Sequence, residues 1–234
     1  MACNHSVWRF MPYRTGSRGL PPLMRAFEIV GSDVDNFECP RCGAHDRERH
    51  LLMYLRASKI LDWMKGRSIL HFAPENRLPR WIEAAGPAVY TACDLYPQSP
   101  HVRRVDMLDM DIASESVDMV IANHVLEHVG DVDRALSEIL RVLKPCGHAI
   151  LQTPYSTKLH HTWSDEGIDT PQARLQAYGQ EDHVRLFGRD IFERIEAAGF
   201  ESRVRQHDDL LGDTDPSLAG VNRAEPFFLY RKPA

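Results

Sequence analysis

Val117-Asp118-Met119-Val120-Ile121-Ala122 is an apolar-leaning run without regular polar alternation, the pattern of a central strand covered on both faces. Asp131 then stands ready to cap a helix in which Val132, Ala135, Leu136, Ile139, Leu140 and Leu143 form an unbroken apolar stripe. Pro145 and Gly147 end that helix, and His148 to Thr153 reads as the next strand. Strand, helix, strand is the repeating unit of a parallel sheet.

The same alternation extends in both directions. Upstream, Arg67 to Phe72, Ala88 to Asp94 and His101 to Asp106 read as strands. Leu78, Trp81, Ile82 and Ala85 give a helix face between the first two, stopped by Gly86 and Pro87. Downstream, Asp190 to Ala198 reads as a helix closed by Gly199, and Phe200 to Gln206 and Pro226 to Arg231 read as two last strands. The expected fold is α/β, a Rossmann-like, doubly wound sheet of seven strands with helices on both faces. Residues 154–188 break the alternation as a long polar insertion, of the kind that carries function.

The segment 1–66 differs in character from the domain expected at 67–234. Arg9, Arg14, Arg18 and Arg25 precede the first acid, Glu28, while Pro12, Pro21 and Pro22 spoil the amphipathic helix of a transit peptide. It reads as a basic arm that orders on the body, followed by a Cys39-Pro40-Arg41-Cys42-Gly43 turn and a helix from about Arg47 to Met64. Across all 234 residues, 43% are hydrophobic, 26% are charged and the formal net charge is -5, which excludes a disordered chain and argues against a generic nucleic-acid binder. No run is long and apolar enough to span a membrane. The five cysteines form no dense disulfide framework, and a cytoplasmic protein is expected.

In an open α/β sheet, ligands bind outside the carboxyl ends of the strands. Those ends carry His71-Phe72-Ala73-Pro74-Glu75, Asp94-Leu95, Asp106-Met107, Asn123-His124 and Thr153-Pro154-Tyr155. An acid after the second strand suits two ribose hydroxyls. One followed by an apolar residue after the third suits an adenine amino group and its ring. Together they describe an adenosine site.

With Ile69 to Glu75, Asp94, Asp106, Ser116 to Ile121, His124-Val125-Leu126-Glu127-His128-Val129 and Arg141 to Gly147, the chain resembles the class I S-adenosylmethionine-dependent methyltransferases, nearest the type 11 small-molecule branch. The resemblance covers about residues 67–206. It implies an antiparallel last strand, and S-adenosylmethionine as cofactor. His71, Phe72, Ala73, Pro74 and Glu75 would border its methionine end, Asp94 and Leu95 its ribose, Asp106 and Met107 its adenine, and Asn123 and His124 its floor. The sequence departs from the family where Asp-x-Gly-x-Gly-x-Gly is usual, since His71, Ala73, Glu75 and Arg77 replace the acid and the glycines. The Leu-His-Phe-Ala-Pro-Glu form resembles a minority branch in which the Glu receives the cofactor's ammonium group.

His124-x-x-Glu127-His128 also spells a zinc-hydrolase order, but it follows a strand and does not open a long helix. Cys39 and Cys42 make a zinc-type knuckle without a second ligand pair, with Cys3, His5, His45 and His50 at unfamiliar spacings, so no metal is assigned. The insertion is dense in hydrogen-bonding groups, among them Tyr155, His160, His161, Trp163, Asp165, Glu166 and Tyr178. His183, oriented by Asp182 or a neighbouring acid, is the expected general base, with Tyr155 second. The reading is a methyltransferase acting on an O or N nucleophile of a small polar metabolite, a sugar derivative or natural-product intermediate. A nucleic-acid or membrane partner is not expected. The alternatives are a non-catalytic cofactor-binding scaffold and a zinc-knuckle interaction protein.

Overall fold

The computed structural model describes residues 3 and 6–234. His5 lies outside the described residues. A seven-stranded sheet is built from β2 (Ser68–Phe72), β3 (Val89–Asp94), β4 (Arg103–Arg104), β5 (Val117–Ala122), β6 (Leu143–Ile150), β8 (Glu201–Ser202) and β9 (Leu229–Arg231), with β1 (Ile29–Val30) and β7 (Tyr155–Ser156) forming a separate pair. The order is β4-β3-β2-β5-β6-β9-β8, in which β2 through β6 pair in parallel and β9 is antiparallel to both its neighbours. The chain moves outward one way through β3 and β4 and the other way through β5 and β6. The crevice between β2 and β5 is therefore the switch point, where an open sheet holds its ligand.

Alternate residues of the central strands feed two cores. Leu70, Phe72, Val120 and Ala122 pack under α5 (Val132–Val142), which Asp131 caps by accepting from Arg134 N, and under α7 (Ile191–Ala197). Ile69, Met119, Ile121 and Ile150 pack on the opposite face beneath α2 (Asp46–Ala57) and α4 (Leu78–Ala84). Leu51, Leu52, Tyr54 and Leu55 of α2 are 0–1% exposed, so the N-terminal segment completes one whole face of the sheet. Among the described residues no helix is long and apolar enough to cross a membrane.

Several boundaries differ from the sequence reading for local reasons. The expected helix to Met64 is split, because Lys59 takes a left-handed φ of 64° between α2 and α3 (Ile60–Trp63). β6 starts at Leu143, paired with Val117 ahead of a register shift, five residues before the expected start. The edges are short: β4 is two residues, and the expected 200–206 strand is reduced to β8 plus an isolated Arg205–Phe227 bridge. The insertion holds a helix, α6 (Pro171–Tyr178), capped by Thr170 and stopped by Gly179 at φ 91°. With only Ala177 and Tyr178 buried, α6 offers no apolar stripe to read.

Candidate functional site

Ala73 turns the chain at the end of β2 with φ 45°, a conformation that glycine adopts more readily. The turn drops Glu75 back into the crevice. There Glu75 accepts a hydrogen bond from Asn123 Nδ2, and its Oε2 lies 3.1 Å from His71 Nε2 without hydrogen-bond alignment. His71 contacts the Tyr90 hydroxyl through Nδ1 at 2.9 Å. Burial alone would raise the Glu75 pKa, but His71 and then Arg47 hold the carboxyl below its ordinary value. Arg77, the other charged replacement, is turned away: its Nε donates to Cys42 O at 2.6 Å. Glu48 of α2 receives Arg77 N and Leu78 N at 2.9 and 3.2 Å, so α2 covers this turn.

Four buried polar atoms around this turn have no hydrogen-bond partner, namely His71 Nε2, the Glu75 Oε2 that faces it, Asn123 Oδ1 and Arg47 Nε. Buried groups without a partner are costly, and a carboxylate oxygen and a guanidinium nitrogen are the types that an ammonium and a carboxylate can satisfy. Asp94 at the end of β3 uses Oδ1 to accept from Tyr96 N, and Leu95 and Tyr96 beside it are exposed. Asp106 accepts from Leu108 N and stays exposed, whereas Met107 and Phe72 are buried in the sheet core. These donors and acceptors fit the chemistry of the two ends of S-adenosylmethionine.

His124, at φ 57°, lies between two carboxylates: Nδ1 is 3.5 Å from Glu127 and Nε2 is 3.0 Å from Glu225. Burial would lower its pKa, but the two acids raise it to about 9, while Glu127 and Glu225 are each lowered to about 2. The two carboxylates favour the imidazolium form of the ring over the neutral form that a base requires. With both nitrogens facing acids it also has no lone pair for a metal. The network continues through Glu225 to His50 at 3.4 Å and from His50 to His207 at 2.9 Å, and on the other side from Glu127 to the Thr153 hydroxyl at 2.9 Å. Asp46 is buried nearby with its pKa raised to about 7, by burial first and Glu225 second. Sequence reasoning missed Glu225 and Asp46, because Glu225 lies in a loop 101 residues from His124 and nothing local marks it.

A cavity of about 140 Å³ opens against His124, between the N-terminal segment and the insertion. Met24, Ile29, Gly31 and Val34 form one wall, and Pro154, Tyr178, Gln180 and His183 the other. The walls are tied together by the β1–β7 pair and by Ser156 Oγ donating to Phe27 O. Arg185 donates to the carbonyls of Leu126, Val129 and Gly130, and Val184 N to Glu127 O, which fixes the segment carrying His183.

His183 is 4% exposed, its Nδ1 lies 3.0 Å from Tyr178 O, and its Nε2 is buried without a partner. Its pKa is lowered, burial outweighing the opposing charge of Glu127. Asp182 does not orient it as expected, because that carboxylate faces His128 Nδ1 at 3.3 Å and the backbone carbonyl of Tyr178 takes the role. Tyr155 packs its ring on Phe192 and Phe228 and is not among the cavity-lining residues. His160, His161, Asp165 and Glu166 are exposed.

Residues 78–151 match the methyltransferase domain family of type 11. A protein of Mycolicibacterium smegmatis described as a probable S-adenosylmethionine-dependent methyltransferase is 32% identical over 101 residues, which are 43% of this chain and 35% of that relative. The match thus spans about a third of the length of that relative. The structure of an S-adenosylmethionine-dependent methyltransferase from Mesorhizobium loti superposes with a TM-score of 0.53 at 17% identity, covering 76% of this chain and 97% of that one, a likeness of fold. The family match places a methyltransferase domain of S-adenosylmethionine-dependent type over residues 78–151, within a sheet of the same fold, and S-adenosylmethionine is the cofactor that these likenesses imply.

Proposed function

We propose that this protein transfers a methyl group from S-adenosylmethionine to an oxygen or nitrogen nucleophile of a small polar metabolite, such as a sugar derivative or natural-product intermediate. The observation that carries the reading is His183, which lines the 140 Å³ cavity with Nδ1 held on the Tyr178 carbonyl and Nε2 buried without a hydrogen-bond partner. A bound cofactor supplies an electrophilic methyl group on a sulfonium, to be displaced in line by an acceptor lone pair.

Glu75, Asn123 and Arg47 hold the amino-acid end, and Asp94 and Asp106 the nucleoside end. The cavity walls position the acceptor, and His183 Nε2 removes its proton. A cavity below the roughly 300 Å³ of drug-sized pockets favours a compact acceptor.

The test is methyl transfer from labelled S-adenosylmethionine to a panel of small hydroxyl and amine metabolites, alongside titration calorimetry with S-adenosylmethionine and S-adenosylhomocysteine. Micromolar binding, about -8 kcal/mol, with turnover on a small acceptor is expected. Binding with no turnover on any acceptor would favour the scaffold, and absence of binding would overturn the cofactor assignment.

A further inference from the structure

Three thiols from distant parts of the chain meet beside the N-terminus of α2, away from the cavity. Cys3 Sγ and Cys39 Sγ are 4.0 Å apart across 36 residues of sequence, and the two sulfurs with Cys42 Sγ all lie within 4.8 Å of one another. No disulfide joins them, since a bonded pair needs about 2.05 Å. A tetrahedral zinc thiolate with Zn–S of about 2.3 Å places its sulfurs roughly 3.8 Å apart, close to the Cys3–Cys39 spacing.

The backbone is shaped for the same purpose. Gly43, at φ 70°, donates to Cys39 O at 2.8 Å, and Cys39 N donates to Ala44 O at 2.9 Å, curling the Cys-Pro-Arg-Cys turn around its own sulfurs. Glu38 pairs with Met11, which holds the N-terminal segment against the turn and delivers Cys3. Cys39 is 3% exposed and its two companions are half-buried, so the cluster is screened from bulk water yet reachable by an ion. The lone knuckle of the sequence thereby gains a third ligand that spacing did not announce.

We propose that Cys3, Cys39 and Cys42 bind one zinc ion as thiolates, with a nitrogen or oxygen donor in the fourth position. Binding releases the thiol protons to solvent and involves no change of oxidation state. The ion is structural: it staples the first residues to the turn whose Cys42 carbonyl receives Arg77, and so to the crevice that α2 covers.

The experiment is metal analysis and zinc X-ray absorption on the reduced full chain, purified without added chelator. About one zinc per chain with three sulfur neighbours is expected, and cobalt exchange should give thiolate-to-cobalt charge-transfer absorption. Cys3→Ser and Cys42→Ser, each checked for native circular dichroism, should lose most of the metal. Zinc-supplemented wild type that stays metal-free, a site with one sulfur or none, or full metal retention in the double variant would overturn the proposal. The wild-type absorption measurement decides the matter even where a variant fails to fold.

Discussion

His183 Nδ1 lies 3.0 Å from the carbonyl oxygen of Tyr178, an atom that can only accept, so the neutral imidazole carries its proton on Nδ1 and leaves Nε2 bare. If Nε2 is the base, His183→Ala should lower kcat by about 10²–10⁴ while cofactor affinity changes little. Because burial lowers its pKa, wild-type activity should reach its plateau on the acid side of the ordinary histidine value, and the variant should lose that acid limb. A pH–rate profile of both proteins checks this, and unchanged turnover would remove His183 from the mechanism.

The cofactor crevice makes a separate prediction. If Asp94 holds the nucleoside end as proposed, Asp94→Ala should weaken S-adenosylmethionine binding by about 10–100-fold, the loss of a charge-assisted hydrogen bond. Glu75→Gln keeps the shape and the Asn123 contact but removes the charge, with a loss of about tenfold expected. Calorimetry on the two variants measures both, and equal affinity in Asp94→Ala would place the ribose elsewhere.

Gly31 sits where a Cβ would come within 3.0 Å of Pro154 Cβ and 3.7 Å of His124 Cε1, inside the cavity wall. Gly31→Ala should therefore raise the acceptor KM about tenfold, with cofactor affinity unaltered. Steady-state kinetics with each substrate varied in turn separates the two effects.

The His124 triad sets a pH window for stability. His124 is raised to about 9 in the fold, so its contribution is complete below the unfolded value of about 6.5 and is lost as pH rises through 9. Glu127 and Glu225 are lowered to about 2, so theirs is complete above about 4.3 and is lost as pH falls through 2. Thermal melts should peak between about pH 5 and 6.5 and fall on both sides, and His124→Gln should flatten the alkaline fall.

Arg49 donates to five carbonyls, those of Phe37, Asn36, Ala44, Ala219 and Gly220, and lies 4.0 Å over the Phe10 ring. Arg49→Met should cost about 3 kcal/mol or more, because those acceptors are left unpaired, and should lower Tm by roughly 6–12 °C. A drop of less than about 2 °C in differential scanning calorimetry would show that water replaces the guanidinium.

The central unit was legible because its signals are local. The stripe on α5 and the unbroken apolar run of β5 each announce their own burial. Asp94 and Asp106 follow from position at strand ends. Other features were hidden for physical reasons: a two-residue strand has too few residues to show a period, and α6 buries too little to carry a stripe.

The sequence by itself determined the doubly wound sheet, the antiparallel last strand through its family resemblance, and which residues stand at the strand ends, since each depends on residues close along the chain. Only the tertiary structure decided that Glu75 folds down onto His71 and Asn123, that Tyr178 and not Asp182 orients His183, and that Glu225 completes the charge on His124. The same holds for Cys3, which reaches Cys39 across 36 residues. Such partners are set by where the chain returns in space, and in a low-dielectric interior a returning carboxylate or carbonyl determines the protonation of what it meets.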